Sequence, residues 1–161
     1  MLKTIVTALN ILIYIYFLSY FFDISIQSLE SLHSLENSII TTTKLIGIVA
    51  ILIGLIIFLF LIYLFSIGLG GQLNSFKEYF VLSLNGFMVF NFYYAILFLF
   101  FEKEILDKET NHYIFEVGKL TYLLFAIWIV LCVRHTTKLN LLKSILSVLL
   151  PSAIIVLFKV I

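Results

Sequence analysis

The chain has 161 residues, of which 63% are hydrophobic and 12% charged, with a mean hydropathy of +1.18 and a formal net charge of +1. A water-soluble domain is about half apolar and a quarter charged, so this composition excludes one and points to a bilayer as the solvent. The near-neutral charge leaves no electrostatic footprint for nucleic acid, and the single cysteine, Cys132, excludes an internal disulfide and any CxxC motif.

Crossing ~30 Å of hydrocarbon takes about twenty apolar residues in a helix. The first such run covers about residues 4–22. Lys3 before it imitates a signal peptide, but the run is long and no A-x-A-like cleavage site follows, so it reads as an uncleaved helix. Between residues 23 and 40, Ile26, Leu29, Leu32, Leu35 and Ile39 recur every three or four positions, with Glu30, His33 and Glu36 between them. That spacing predicts an amphipathic helix along the membrane surface.

The second span, about 45–69, lies in a stretch with no charge between Lys44 and Lys77. Gly47 and Gly54 fall two turns apart on one face, where small residues let another helix approach closely. The third span, about 79–101, carries Asn85, Gly86 and Asn91 at mid-membrane depth. An amide in hydrocarbon is costly unless bonded, so both asparagines are expected to face other helices. A connection rich in charge follows, "EKEILDKETNHYIFEVGK". The fourth span, about 113–133, places Glu116 and Lys119 three residues apart in its first turns, where they can pair on one helix face or reach the interface. The last span, about 139–161, contains Pro151, which predicts a kink.

Between the second and third spans lies "LGGQLNSFKEYF". Gly70 and Gly71 directly follow an apolar run, where glycine adopts the left-handed conformation that ends a helix. Ser75, Phe76, Lys77 and Glu78 fit the S-x-x-E capping box that opens the next one. The stretch therefore reads as a helical-hairpin turn, with Phe76 anchoring at the interface and Lys77 reaching the headgroups.

These elements predict an all-α, polytopic integral membrane protein: one domain over residues 1–161, a bundle of about five transmembrane helices with short amphipathic connecting helices. With five crossings, one side carries Lys3, Lys77, Arg134, Lys138 and Lys143 and the other Lys44, Lys103, Lys108, Lys119 and Lys159. The lysine and arginine counts tie. The short connections with a clear basic excess favour a cytoplasmic amino terminus and an outside carboxyl terminus.

The Gly-Gly pair after an apolar span, followed by Ser-Phe-Lys opening the next, resembles the Yip (Ypt-interacting) family of five-span membrane proteins. A second match is "IWIVLCVRHTTKLNLLKSILSVLL", with Trp128, Arg134 and Lys143, which is similar to that family's fourth span, basic turn and fifth span. Members often have a proline early in the third span, where this chain has "SLNGF". The first span begins almost at Met1, without the extended amino-terminal region of eukaryotic members, so the resemblance points to the compact bacterial type. It implies an accessory protein in the plasma membrane that works beside export systems, including ABC-type transporters.

Catalysis lacks a constellation. His33, His112 and His135 are scattered among connections, and neither a GxSxG elbow nor a GxxxxGK[ST] phosphate loop occurs. No catalytic, cofactor-binding or metal residue is assigned, and no cofactor is expected. The expected partners are membrane lipids and other integral membrane proteins, transporter subunits among them, or further copies of the chain. Partner-binding or turn candidates are Gly70, Gly71, Ser75, Phe76, Lys77, Glu78, Arg134, Lys138 and Lys143; candidate intramembrane polar groups are Asn85, Asn91, Glu116 and Lys119. The leading expectation is a non-catalytic accessory, assembly or immunity factor of an exporter. The alternative is a small channel or permease subunit working as an oligomer, in which those polar groups line a path.

Overall fold

The computed structural model describes the backbone of residues 2–27, 37–72, 76–101 and 108–160, and side chains at 3–21, 23, 39–72, 76–99 and 118–154. Every regular element among them is a helix: α1 Leu2–Gln27, α2 Asn37–Gly68, α3 Phe76–Leu84, α4 Phe87–Phe101, α5 Lys108–Thr137 and α6 Leu141–Val160. Apolar stretches long enough to cross a bilayer lie at Lys3–Phe21, Ile39–Gly68, Phe76–Leu99 and Gly118–Thr137, with a shorter one at Leu141–Ile154. Helices are what hydrocarbon demands, because a helix bonds its own N–H and C=O groups where no water can.

Around the bundle the neighbours run α1, α2, α6, α5, α4 and back to α1, while α3 touches α5, α1 and α2. Aromatic rings fill much of the seam between α1 and α4. Tyr14 meets Phe87 with ring centroids 4.6 Å apart, and Tyr20 meets Phe98 at 5.1 Å. These pairs advance in the same direction along both helices, so α1 and α4 run parallel. Phe90 continues the seam onto Phe125 of α5 at 4.9 Å. A second ring cluster ties α2 to α3, with Tyr63 stacked on Tyr79 at 5.3 Å. The buried Tyr79 hydroxyl donates to the Leu59 carbonyl at 3.1 Å. Aromatic pairs of this kind contribute about 0.5–1.5 kcal/mol beyond area burial. At the far end of the first hairpin, Lys44 pairs with Asp23 at 2.6 Å.

Outward faces are apolar: Leu12, Ile46, Phe92 and Leu142 are each more than 60% exposed. In water such a surface would drive aggregation; against acyl chains it is matched to its solvent.

Four expectations are revised or fall outside the described residues. The third span is not one helix. It breaks at Asn85–Gly86 into α3 and α4, and the backbone there tightens to bonds spanning three residues: Gly86 N–H to Ser83 O, Met88 N–H to Asn85 O and Val89 N–H to Gly86 O. The cause is local, since Asn-Gly is among the strongest turn-forming dipeptides. Gly54 faces open space rather than another helix. The close approach is instead at Gly86, where an added Cβ would sit 2.7 Å from Trp128 Cδ1 and 2.8 Å from Phe125 Cε2. Of the amphipathic segment expected at 23–40, its ends belong to α1 and α2, and 28–36 lie outside the described residues. Finally, α5 starts at Lys108, absorbing part of the charged connection. Pro151 sits buried inside α6, which continues through it.

The two glycines make a paired test. Gly86→Ala is expected to cost about 1–3 kcal/mol through overpacking against Trp128, Phe125 and the Ser83 carbonyl. Gly54→Ala, in open space within α2, is expected to be neutral or to stabilise by about 0.5–1 kcal/mol. Thermal unfolding of both variants in detergent, followed by circular dichroism, checks the pair.

Candidate functional site

Two places on the bundle concentrate polar chemistry: the broken third span and the end where α2, α3, α5 and α6 meet.

At the break, polar side chains of α1 and the third span converge. The Thr7 hydroxyl lies 2.8 Å from Asn85 Oδ1 and 2.9 Å from the Lys3 carbonyl, so its one proton is shared between them. Asn91 Nδ2 donates to the Asn10 carbonyl at 2.8 Å. Asn91 is buried, and among the described residues its Oδ1 has no partner. From the other side the Trp128 indole of α5 donates to the Leu82 carbonyl at 2.9 Å. That bond answers a defect created by the break. In a continuous helix the Leu82 carbonyl would take the Gly86 N–H, which instead turns to Ser83.

Beside these groups a cleft of about 600 Å³ opens sideways over α4, flanked by α1 and α5. Its walls are apolar, with Val6, Met88, Phe92 and Leu124 all partly exposed to the bilayer. Asn10, Asn85, Tyr93, Thr121 and Trp128 supply its few polar side chains. An apolar pocket of this size with a small number of converging polar groups has the character of a ligand site.

The second place joins the two turns that sequence singled out separately. Gly70 has φ +93°, Gly70 N–H bonds Ile67 O, and Gly71 N–H bonds Ser66 O, a Schellman ending of α2. The next residue crosses to another hairpin: Gln72 N–H donates to Thr137 O at 2.9 Å, the last residue of α5. Lys143 Nζ of α6 reaches back to the Leu69 carbonyl at 2.9 Å. Thus Gly70, Gly71 and Lys143 come together, while Lys77, Glu78, Arg134 and Lys138 are exposed nearby along the same end. Phe76 packs edge-on to Tyr63 and Phe60 instead of projecting alone. Lys138 adopts φ 58°, the left-handed step that ends α5. Ser75 lies outside the described residues, so its capping bond to α3 does too. Lys119 is exposed on α5, and its expected partner Glu116 has no described side chain.

Several residues that matter here were not picked out from sequence. Thr7 and Asn10 sit three apart in the first span, a polar pair on one helix face that signals a buried contact. Asn140 caps α6, its Oδ1 accepting the Lys143 N–H at 2.9 Å; asparagine just before an apolar run is the available signal. Among the described residues no three His, Cys, Asp or Glu side chains converge as metal ligands.

A double-mutant cycle with Thr7→Val and Asn85→Leu is expected to give a coupling energy of about 0.6–1.7 kcal/mol, the range of interhelical hydrogen bonds in bilayers. Trp128→Phe, which keeps the ring and removes the donor, is expected to cost about 1–3 kcal/mol by leaving Leu82 O unsatisfied. Unfolding in mixed micelles measures both.

Compared with protein-family models, with curated proteins and with solved structures, the chain finds no significant match.

Proposed function

We propose that this is a non-catalytic membrane protein that acts by lateral association with other integral membrane proteins, as an accessory, assembly or immunity factor of an export system of the ABC type. The observation that carries the reading is the division of the surface. Polar side chains at the helix break turn onto α1, the Trp128 indole of α5 bonds its backbone, and the outward faces are largely apolar and suited to packing against other helices. The resemblance of "LGGQLNSFK" and "IWIVLCVRHTTKLNLLK" to the compact bacterial Yip proteins supplies the exporter as the partner class. In this reading the chain lies in a bacterial plasma membrane, with Lys3, Lys77, Arg134, Lys138 and Lys143 facing the cytoplasm.

One observation favours the alternative of a small permease subunit working as an oligomer. Discontinuous transmembrane helices are where transporters place their binding sites, and the third span is discontinuous at Asn85–Gly86.

The experiment that separates the two is purification of the tagged chain, at native expression and in mild detergent, with its companions identified by mass spectrometry. Stoichiometric exporter subunits are the expected outcome. A homo-oligomer without companions, together with solute flux in liposomes that falls on Asn85→Leu, would transfer the assignment to transport.

A further inference from the structure

The lateral cleft has an order of chemistry along its length. Lys3 lies on the same stripe of α1 as Val6 and Asn10, and His135 lies on the same stripe of α5 as Leu124 and Trp128, because a helix turns 100° per residue. Both Lys3 and His135 are exposed, and among the described residues neither makes an ion pair. Asn10 is seven residues deeper than Lys3, on the order of 10 Å along the axis at 1.5 Å per residue. Asn85 reaches the same wall one turn below Lys3, through Thr7. Beyond these amides the lining is mainly apolar, past Phe92 to Leu120, with only the Tyr93 and Thr121 hydroxyls among it.

An occupant therefore meets a cation at the bilayer surface, then amides, then a hydrocarbon trough. Among the described residues neither the Asn85 Nδ2 nor the Asn10 side-chain amide donates a hydrogen bond, and a donor turned toward lipid is costly to leave unpaired. An acceptor oxygen placed there by a ligand would satisfy them.

We propose that the cleft is a binding site for one acidic phospholipid. The anionic phosphate group sits at Lys3, the ester carbonyl accepts from Asn85 and Asn10, and one acyl chain fills the trough over α4. The sequence of polar groups selects this occupant over a free fatty acid, which carries a single polar head and has nothing left to offer the deeper amides. It also selects an acidic lipid over a zwitterionic one, since the Lys3 ammonium is exposed and has no ion pair among the described residues. This site goes beyond lateral association with proteins and does not depend on it.

The test is native mass spectrometry of the full-length chain after equilibration with equal amounts of phosphatidylglycerol and phosphatidylcholine of the same acyl chains. One tightly held phosphatidylglycerol per chain is expected, preferred about fivefold over phosphatidylcholine, the ratio that about 1 kcal/mol for one lysine near the membrane surface gives. Lys3→Gln is expected to erase the preference and Lys3→Arg to keep it. Val6→Trp fills the trough from a position already facing lipid, and Leu124→Trp does so from the opposite wall; each is expected to lower occupancy at least tenfold while circular dichroism stays unchanged. Lipids bound in the proportions supplied and indifferent to both tryptophans would overturn the proposal. So would a preference that survives Lys3→Gln, or displacement of phosphatidylglycerol by equimolar oleate.

Discussion

Hydrocarbon offers no hydrogen-bond partner, and the architecture around α3 and α4 follows from how the chain meets that constraint at a place where it breaks its own helix. Asn85–Gly86 interrupts the third span and withdraws the Gly86 N–H from the Leu82 carbonyl. Trp128 supplies the replacement donor, and the missing side chain at Gly86 is what lets the indole come close enough to do so. The same turn aims Asn85 at Thr7, and six residues later Asn91 reaches the backbone of α1. A defect in one helix thus fixes the position of two others.

The aromatic seam and the polar contacts divide the labour between them. Rings such as Tyr14, Phe87, Phe90 and Phe125 fill volume between α1, α4 and α5, and their packing has no close polar register. In a bilayer, burial against another helix gains little over burial against lipid, so such contacts hold helices together without strongly choosing an arrangement. The asparagine and tryptophan bonds are directional, and they choose it. At the opposite end of α3 the Schellman turn performs a similar task at the interface, joining the end of α2 to α5 and α6 through Gln72 and Lys143.

What was legible in the sequence was whatever depends on composition and local pattern. Apolar runs gave the helical membrane class and the approximate spans, and the Gly70–Gly71 turn was readable because left-handed backbone at a helix end asks for glycine. The break at Asn85–Gly86 was present as a dipeptide yet passed over, since a long apolar run outweighs a single turn signal when periodicity is the guide. Trp128 and Thr7 could not be paired with Leu82 and Asn85 from sequence, because those contacts join residues 46 and 78 positions apart. Nor did sequence show that the two candidate turns, around Gly70 and around Lys138, form one surface. The lateral cleft was hidden for the same reason: its walls come from three helices, and Asn85 and Gly86 in its lining do not show which neighbours they meet.

The bond from Trp128 to Leu82 also imposes an order on biosynthesis. Chains are made from the amino terminus, so α3 and α4 emerge before α5. Asn85 and Asn91 already have α1 to bond at that moment, but the Leu82 carbonyl has no donor until α5 arrives. The half-made protein therefore carries an exposed polar backbone atom inside the third span. Seating the third helix in hydrocarbon and docking the fourth crossing are therefore one coupled event, because a single indole N–H completes both.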